Sequence, residues 1–202
     1  MRKTLIVLGL TLTLGACAHK YVQNPDPDHA HADLAVWANG EKLDFSDSAL
    51  MSDTPSDDHE HDTGTGHHLD EYFHLHNDNG HVIHSHKPGL PLKEFFDSIK
   101  VGFDEKCYAS FMPMADGRIC GDTPFRLFVN DKEIAFNNLQ YSFKDMDKIL
   151  ITNAATDADV QMQLKQMTDE ACMYSKTCPW KGPAPTENCT SDPAIPCKEV
   201  TK

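Results

Sequence analysis

The sequence predicts an α+β fold: a mixed β-sheet of hairpins with a crossing helix, followed by a C-terminal helix and a disulfide-rich tail. Stretches in which apolar and polar residues alternate are joined by short turns rich in Asn and Gly, a combination typical of β-hairpins. Apolar residues at helical spacing follow Pro91, and Cys and Pro concentrate near the C-terminus. At 202 residues the chain is long enough to bury the core of one such domain.

Residues 1–16 are predicted to be a lipoprotein signal peptide. Arg2 and Lys3 precede an apolar run that is too short to span a membrane as a mature helix. The run ends in LGAC, which resembles the lipobox of bacterial lipoproteins. That resemblance implies that Cys17 is lipidated, and Ala18 after it implies sorting to the outer membrane, with the domain facing the periplasm. The alternative is a simple secretory signal in which Cys17 occurs by chance.

Residues 17–28 are polar and interrupted by Pro, so they are expected to form a lipid-anchored tether. The chain carries a net charge of −13, which becomes −15 when Arg2 and Lys3 leave with the signal. This balance argues against nucleic acid as a partner, because counterion release requires Lys and Arg on the protein. It favours cations instead.

Six Cys remain once Cys17 is set aside, an even number that in an exported chain predicts three structural disulfides. Fifteen connectivities are compatible with six Cys. The short separation of the first two favours a local bridge between them. The six are Cys107, Cys120, Cys172, Cys178, Cys189 and Cys197.

Residues 29–155 are predicted to form a His-rich α+β domain. Its first strand and turn, ADLAVWANGEKLDF, contain Asn39-Gly40, a strong hairpin signal. Alternation places apolar residues on one face of the strand and polar residues on the other. The polar face carries His29, His31 and Asp33.

Residues 46–70 have little periodicity and are predicted to form a mobile loop rich in His and Asp. This loop resembles the flexible His/Asp loops of periplasmic zinc-handling proteins, which implies loose capture of an ion. The alternative is a disordered acidic linker. The loop histidines are His59, His61, His67 and His68.

Two His-x-His pairs flank the turn Asn-Asp-Asn-Gly within residues 71–86. Asn77 suits the first position of a type I turn and Gly80 the left-handed position that follows, so a three-residue loop with a bulge is predicted. This register places Asn77 opposite His81, and a two- or four-residue loop would instead split the pairs between faces. With the predicted register, one face of the hairpin carries His74, His76, His84 and His86.

The rest of the domain completes a sheet similar to a β-grasp. A short helix is predicted through LKEFFDSI, with Gly102 placed to end it. FRLFVNDKEIAF repeats the pattern of the first hairpin at an offset of 91 residues, as a duplication or as the common look of short hairpins, and KILITN is the last strand. In residues 156–202, Thr156 and Asp159 form a capping box for a helix over 157–171, and a Cys-rich tail follows.

The clustered imidazoles predict a metal site. Opposed Cβ atoms in a sheet lie about 5 Å apart, close enough for imidazoles to share an ion at about 2 Å. We therefore include the hairpin histidines, the polar face of the first strand and, more loosely, the loop histidines as candidate ligands. Such donors suit Zn(II) or Cu(II). The alternative is a polar face whose imidazoles are solvated or hydrogen-bonded without a metal.

Three blocks, HAHADLAVWANGEKLDFS, HLHNDNGHVIHSHKPGLPLKEFF and DEACMYSKTCPWKGPAPTENC, resemble an uncharacterised group of exported or membrane-anchored, His- and Cys-rich prokaryotic proteins. The resemblance implies an extracytoplasmic location and no particular activity.

The function predicted from these features is that of an outer-membrane-anchored periplasmic lipoprotein that binds Zn or Cu for buffering or relay. Two alternatives remain open. One is a structural or interaction lipoprotein without a metal. The other is a hydrolase or lyase built on a three-His zinc ion, with Glu71 and Asp78 as candidate bases. No residue is assigned as catalytic.

Overall fold

The computed structural model of the protein describes residues 19–51, 72–110 and 117–187. The strands are β1 (Ala30–Ala38), β2 (Glu41–Lys42), β3 (Phe73–His74), β4 (Val82–Ser85), β5 (Val101–Phe103), β6 (Cys107–Ser110), β7 (Gly117–Cys120), β8 (Arg126–Val129), β9 (Lys132–Ile134) and β10 (Lys148–Thr152). The α-helices are α1 (Leu92–Ser98), α2 (Asp157–Leu164) and α3 (Ala171–Tyr174), with 3₁₀ turns at Ser48–Leu50, Asn137–Leu139 and Pro179–Lys181.

A mixed sheet of seven strands dominates the described part of the chain. Its order is β3-β4-β1-β10-β8-β9, and β2 pairs with β1. Strands β1 and β10 are parallel neighbours in the middle of the sheet, and the other pairs are antiparallel. The α+β prediction is therefore confirmed, and the first and last strands lie side by side as in a β-grasp.

The two similar hairpin sequences adopt the same register. Trp37 pairs with Lys42, and at the offset of 91 residues Phe128 pairs with Glu133. Both turns use two residues with positive φ, which matches the right-handed twist of the flanking strands. The turn residues are Asn39 and Gly40 in the first hairpin, and Asn130 and Asp131 in the second.

The apolar core lies between one face of the sheet and α1. Apolar residues of β1 meet the aromatic stripe of α1 there, and Phe95 is fully buried. The opposite face is also covered: α2 packs near the centre of the sheet through Val160. Residues of α3 pack on Val82 at the β4 end. None of the described helices is long and apolar enough to cross a membrane.

A second sheet, β5-β6-β7, carries a disulfide between Cys107 and Cys120, which are directly opposed residues of β6 and β7. The expected local bridge is therefore confirmed. A further disulfide joins Cys172 to Cys178. The predicted disulfide residues Cys189 and Cys197 lie outside the described residues.

Two helix boundaries differ from the prediction. Helix α1 ends at Ser98, and the left-handed residue after it is Lys100 (φ 56°), so Gly102 does not end the helix but lies in β5. The capping box at Thr156 is present, but α2 ends at Leu164 instead of reaching residue 171. A physical reason for the early end is a set of hydrogen bonds to the Asp33 carboxylate, which hold this segment out of a continuous helix. The donors are the Thr168 hydroxyl and the N–H groups of Glu170 and Ala171.

Candidate metal centre

The central hairpin has the predicted register but a different turn. His74 pairs with His84 across β3 and β4. Asn77 and Asp78 both have positive φ, and the Asn79 N–H donates to the His76 carbonyl over 2.9 Å, which gives a tight two-residue turn. The side-chain oxygen of Asn79 then accepts from the N–H groups of residues 81 and 82, which accommodates the remaining residues of the loop without changing the parity.

The role predicted for Gly80 is wrong, since its φ is not in the left-handed region. Gly80 instead lies against the backbone of the segment that follows β2. A Cβ at this position would lie 2.4 Å from the carbonyl carbon of Phe45 and 2.5 Å from the N of Ser46. Glycine is therefore required at this point by a close approach between two backbones.

Strand β1 brings a third His-x-His pair beside the hairpin. It pairs antiparallel with β4, and His31 lies directly opposite His84. Because side chains alternate, His29 and His31 project to the same face as the hairpin histidines. Each of these six residues is 6% exposed or less: His29, His31, His74, His76, His84 and His86.

The donor atoms on this face form two groups, and within each group they lie within 4.8 Å of one another. We call them the Glu187 group and the three-His group. The Glu187 group consists of His29, His31, His84 and Glu187, and the three-His group consists of His74, His76 and His86.

In the Glu187 group, one carboxylate oxygen lies between two imidazoles. Glu187 Oε1 is 3.0 Å from His31 Nε2 and 2.8 Å from His84 Nδ1. Among the described residues, His84 Nδ1 has no hydrogen-bond partner. Its 2.8 Å contact with Glu187 is therefore a close approach that lacks the geometry of a hydrogen bond. The other oxygen, Oε2, lies 3.8 Å from His29 Nδ1.

A short chain of hydrogen bonds fixes the tautomer of His31. The Ser175 hydroxyl donates its single proton to Asp145 Oδ1. It must therefore accept at its oxygen from His31 Nδ1, 2.8 Å away, so that Nδ1 carries the proton. In the neutral ring Nε2 is then a bare lone pair, and it points at a carboxylate oxygen. Two acceptors face each other, which is favourable only if a proton or a metal cation lies between them.

In the three-His group, His74 Nε2 and His86 Nε2 lie 2.9 Å apart. Two nitrogens bound to one tetrahedral zinc at about 2.05 Å would be about 3.3 Å apart. The rings of His74 and His76 also meet edge to face, with centroids 4.4 Å apart. The nitrogens of His74 and His86 are therefore within a few tenths of an ångström of the spacing that a shared ion requires, and the donor atoms of all three residues lie within 4.8 Å of one another.

Burial keeps most of these imidazoles neutral. It lowers the pKa of His29 and of His86 to about 3, and the neighbouring imidazoles act in the same direction. Burial also lowers the pKa of His74 and of His84 well below the ordinary value, although Glu187 opposes the shift at His84. Burial alone would raise the pKa of Glu187, but contacts with His31 and His84 outweigh it and lower that pKa. At neutral pH the site thus offers four imidazoles that burial keeps neutral and an ionised carboxylate.

The tail covers this face. Tyr174 of α3 stacks edge-on against His84, with ring centroids 4.8 Å apart, and Glu187 reaches in from the segment beyond. The tail is held to β1 by the Asp33 carboxylate, which accepts from the Thr168 hydroxyl over 2.6 Å and from the Glu170 N–H over 2.8 Å. Asp33 therefore stabilises the junction between the sheet and the tail. It belongs to neither donor group, so the described geometry lends no support to its prediction as a ligand.

Not every predicted site residue can be placed. The loop histidines His59, His61, His67 and His68 lie outside the described residues, as do Cys17 and the candidate base Glu71. His81, which was not a predicted ligand, is partly exposed and lies outside both groups. The residue that sequence reasoning missed is Glu187. It stands in a Pro-rich tail far from any His-x-His pair, and no spacing links it to the sheet.

Comparisons with protein-family models, curated proteins and solved structures find no match to this chain. The fold and the site define an α+β protein in which six buried imidazoles on one face of the sheet meet a carboxylate from a disulfide-containing tail.

Proposed function

We propose that this protein binds a divalent transition metal ion in the buried histidine cluster. The observation that carries the proposal is the meeting of two acceptor atoms, His31 Nε2 and Glu187 Oε1, which lie 3.0 Å apart, with His84 Nδ1 only 2.8 Å from the same oxygen. Buried acceptors that face each other cost free energy unless a cation joins them.

A proton is a weaker explanation than a metal for this geometry. Protonation of His31 would satisfy its contact with Glu187 but would leave the contact at His84 without hydrogen-bond geometry. The low pKa of His29, His84 and His86 also disfavours extra protons on this face. One metal ion can accept a lone pair from each residue of the Glu187 group at once.

The donor set restricts the metal. Imidazole nitrogen and carboxylate oxygen suit Zn(II) and Cu(II), and neither donor group in the described residues contains a thiolate. The Irving–Williams order favours Cu(II) at any such site, so availability in the compartment decides between the two. The Glu187 group supplies four donors, the number that Zn(II) usually takes in proteins.

The cellular role that fits is buffering or relay of the ion at the periplasmic face of the outer membrane. The support for this location is the LGAC sequence ending at Cys17 and the polar tether after it. Incorporation of labelled palmitate into the chain, and its loss in Cys17→Ser, would establish the anchor. A chain that is processed without acylation would make the protein a secreted one.

Calorimetric titration tests the binding proposal. The sample is the full chain in detergent, with His59, His61, His67 and His68 changed to Ala so that only the described face can respond. We expect Zn(II) and Cu(II) to bind more tightly than about 1 µM at pH 7.5, which corresponds to about 8 kcal/mol. His84→Ala should remove the binding that depends on the Glu187 group, and His81→Ala should leave it unchanged. No binding tighter than about 10 µM, a free energy of about 7 kcal/mol, would refute the proposal.

A further inference from the structure

We infer that the histidine face holds two metal ions side by side, one in a closed site and one in a site with an open coordination position. This inference rests on the proposed function, because it concerns how the same donors are shared. The two donor groups have no residue in common, although each group is compact enough to serve one ion.

The number of donors argues for two ions. Zinc in proteins takes four ligands, whereas this face presents six imidazoles and one carboxylate. A single ion in the Glu187 group would leave unused a second buried set of donors, those of His74, His76 and His86, which lie within 4.8 Å of one another. A second ion at the three-His group uses these donors.

The two groups touch each other. The rings of His29 and His86, which belong to different groups, have centroids 3.8 Å apart, and those of His76 and His84 have centroids 4.6 Å apart. Ions bound by the two groups would therefore be near neighbours, as in the paired metal sites of hydrolytic enzymes, in which the ions are about 3.5–4 Å apart.

The two sites differ in coordination. The Glu187 group supplies three nitrogens and one oxygen, which completes a tetrahedron. The three-His group supplies three nitrogens, so its ion has a fourth position for water or a small anion. Two adjacent dications repel each other, and Glu187 is the one carboxylate in either donor group. A small anion at the open position would add the negative charge that the pair still lacks.

Cu(II) and azide serve as probes of this arrangement. Metal-free full chain in detergent, with the four loop histidines changed to Ala, is titrated with Cu(II) and followed by electron paramagnetic resonance. We expect two equivalents per chain, with the signal of the first ion broadened or lost as the second binds. One equivalent would overturn the two-ion inference and leave the proposed function intact, whereas no binding would overturn both.

Two matched variants separate the sites. Glu187→Gln should weaken the closed site at least tenfold and leave an isolated Cu(II) signal from the three-His group. His76→Gln should leave an isolated signal from the Glu187 group. Azide should shift the absorption spectrum of the Glu187→Gln protein and not that of His76→Gln. Two equivalents in the parent chain with uncoupled signals, or an azide response at the Glu187 group instead, would contradict the arrangement.

Discussion

The two faces of the first half of β1 are equally buried but are built from opposite chemistry. Ala32, Leu34 and Val36 are 1% exposed or less on one face, and on the other His31 and Asp33 are 1% and 2% exposed. Alternation of this kind in an antiparallel sheet ordinarily means that the polar face is solvated. Here the tail covers the polar face. Its groups therefore need partners, and Asp33 finds them in the tail, whereas His31 and its neighbours form a site suited to a cation.

The largest effect should come from removing His84, which contacts Glu187 in its own group and packs edge to face against His76 of the three-His group. His84→Ala should lower the affinity for Zn(II) by more than about 100-fold, since loss of a mere supporting contact to a ligand costs about 10- to 100-fold. Calorimetry measures the change, with His81→Ala as the control from the same hairpin. An unchanged affinity of the Glu187 group, within about threefold of the parent, would show that this group does not bind the ion.

A substitution on the apolar face should lower the free energy of unfolding and leave metal binding unchanged. Leu34→Ala should lower the free energy of unfolding by about 2–5 kcal/mol, because it leaves a cavity beneath the sheet. Denaturant unfolding of the metal-free protein measures this cost. The stoichiometry of Zn(II) binding should stay unchanged in the folded variant. If Leu34→Ala abolished binding at temperatures where it is folded, the two faces would not be separable.

Acid should destabilise the metal-free protein through its buried imidazoles. The pKa of His29 and of His86 is about 3 in the folded chain, below the ordinary value of 6.5, because burial favours the neutral ring. The unfolded chain therefore binds more protons between these values, and the free energy of unfolding falls as the pH is lowered from 6.5 towards 3.

Each such imidazole contributes a slope of about 1.4 kcal/mol per pH unit within this window. Denaturant unfolding at a series of pH values measures the slope, and His86→Gln should reduce it by about that amount. His81→Ala serves as the control and should leave it unchanged. A stability that rises on acidification would contradict the buried, neutral state of this face.

The smallest effect concerns the hydrogen-bond chain from Asp145 through Ser175 to His31. Ser175→Ala removes the acceptor that fixes the His31 tautomer. We expect the affinity for Zn(II) to fall about 10- to 100-fold without loss of stoichiometry, because Nε2 is then no longer held as the free lone pair. Ser175→Thr keeps a hydroxyl and should restore part of the affinity. Equal affinities in all three proteins would show that Ser175 does not position His31 for metal binding.

Local patterns predicted the hairpin strands of the seven-stranded sheet and the face on which the imidazoles lie, but not the second sheet, whose β6 and β7 lie within a stretch interpreted as a loop. Alternation along β1 placed His29 and His31 on one face and Ala32 and Leu34 on the other. The parity of the loop around Asn77 paired His74 with His84. These features depend on side chains a few residues apart, for which the sequence carries a direct signal.

Features that depend on distant segments were not predictable in this way. Gly80 is required by the backbone at Phe45, and α2 ends early as the next turn binds Asp33. Glu187 reaches the histidines only because the tail folds back over the sheet. The sequence shows that the tail contains Cys and Pro, but it does not show which face the tail covers.

X-ray absorption at the zinc edge of the Zn(II)-loaded, loop-substituted chain tests the central claim most directly. We expect a first shell of nitrogen and oxygen at about 2.0–2.1 Å, with the outer-shell scattering of several imidazoles. A sulfur shell at about 2.3 Å would place the ion on Cys, and a shell of water oxygens without imidazole scattering would place it on the surface. Either result would contradict a metal centre on the buried histidine face.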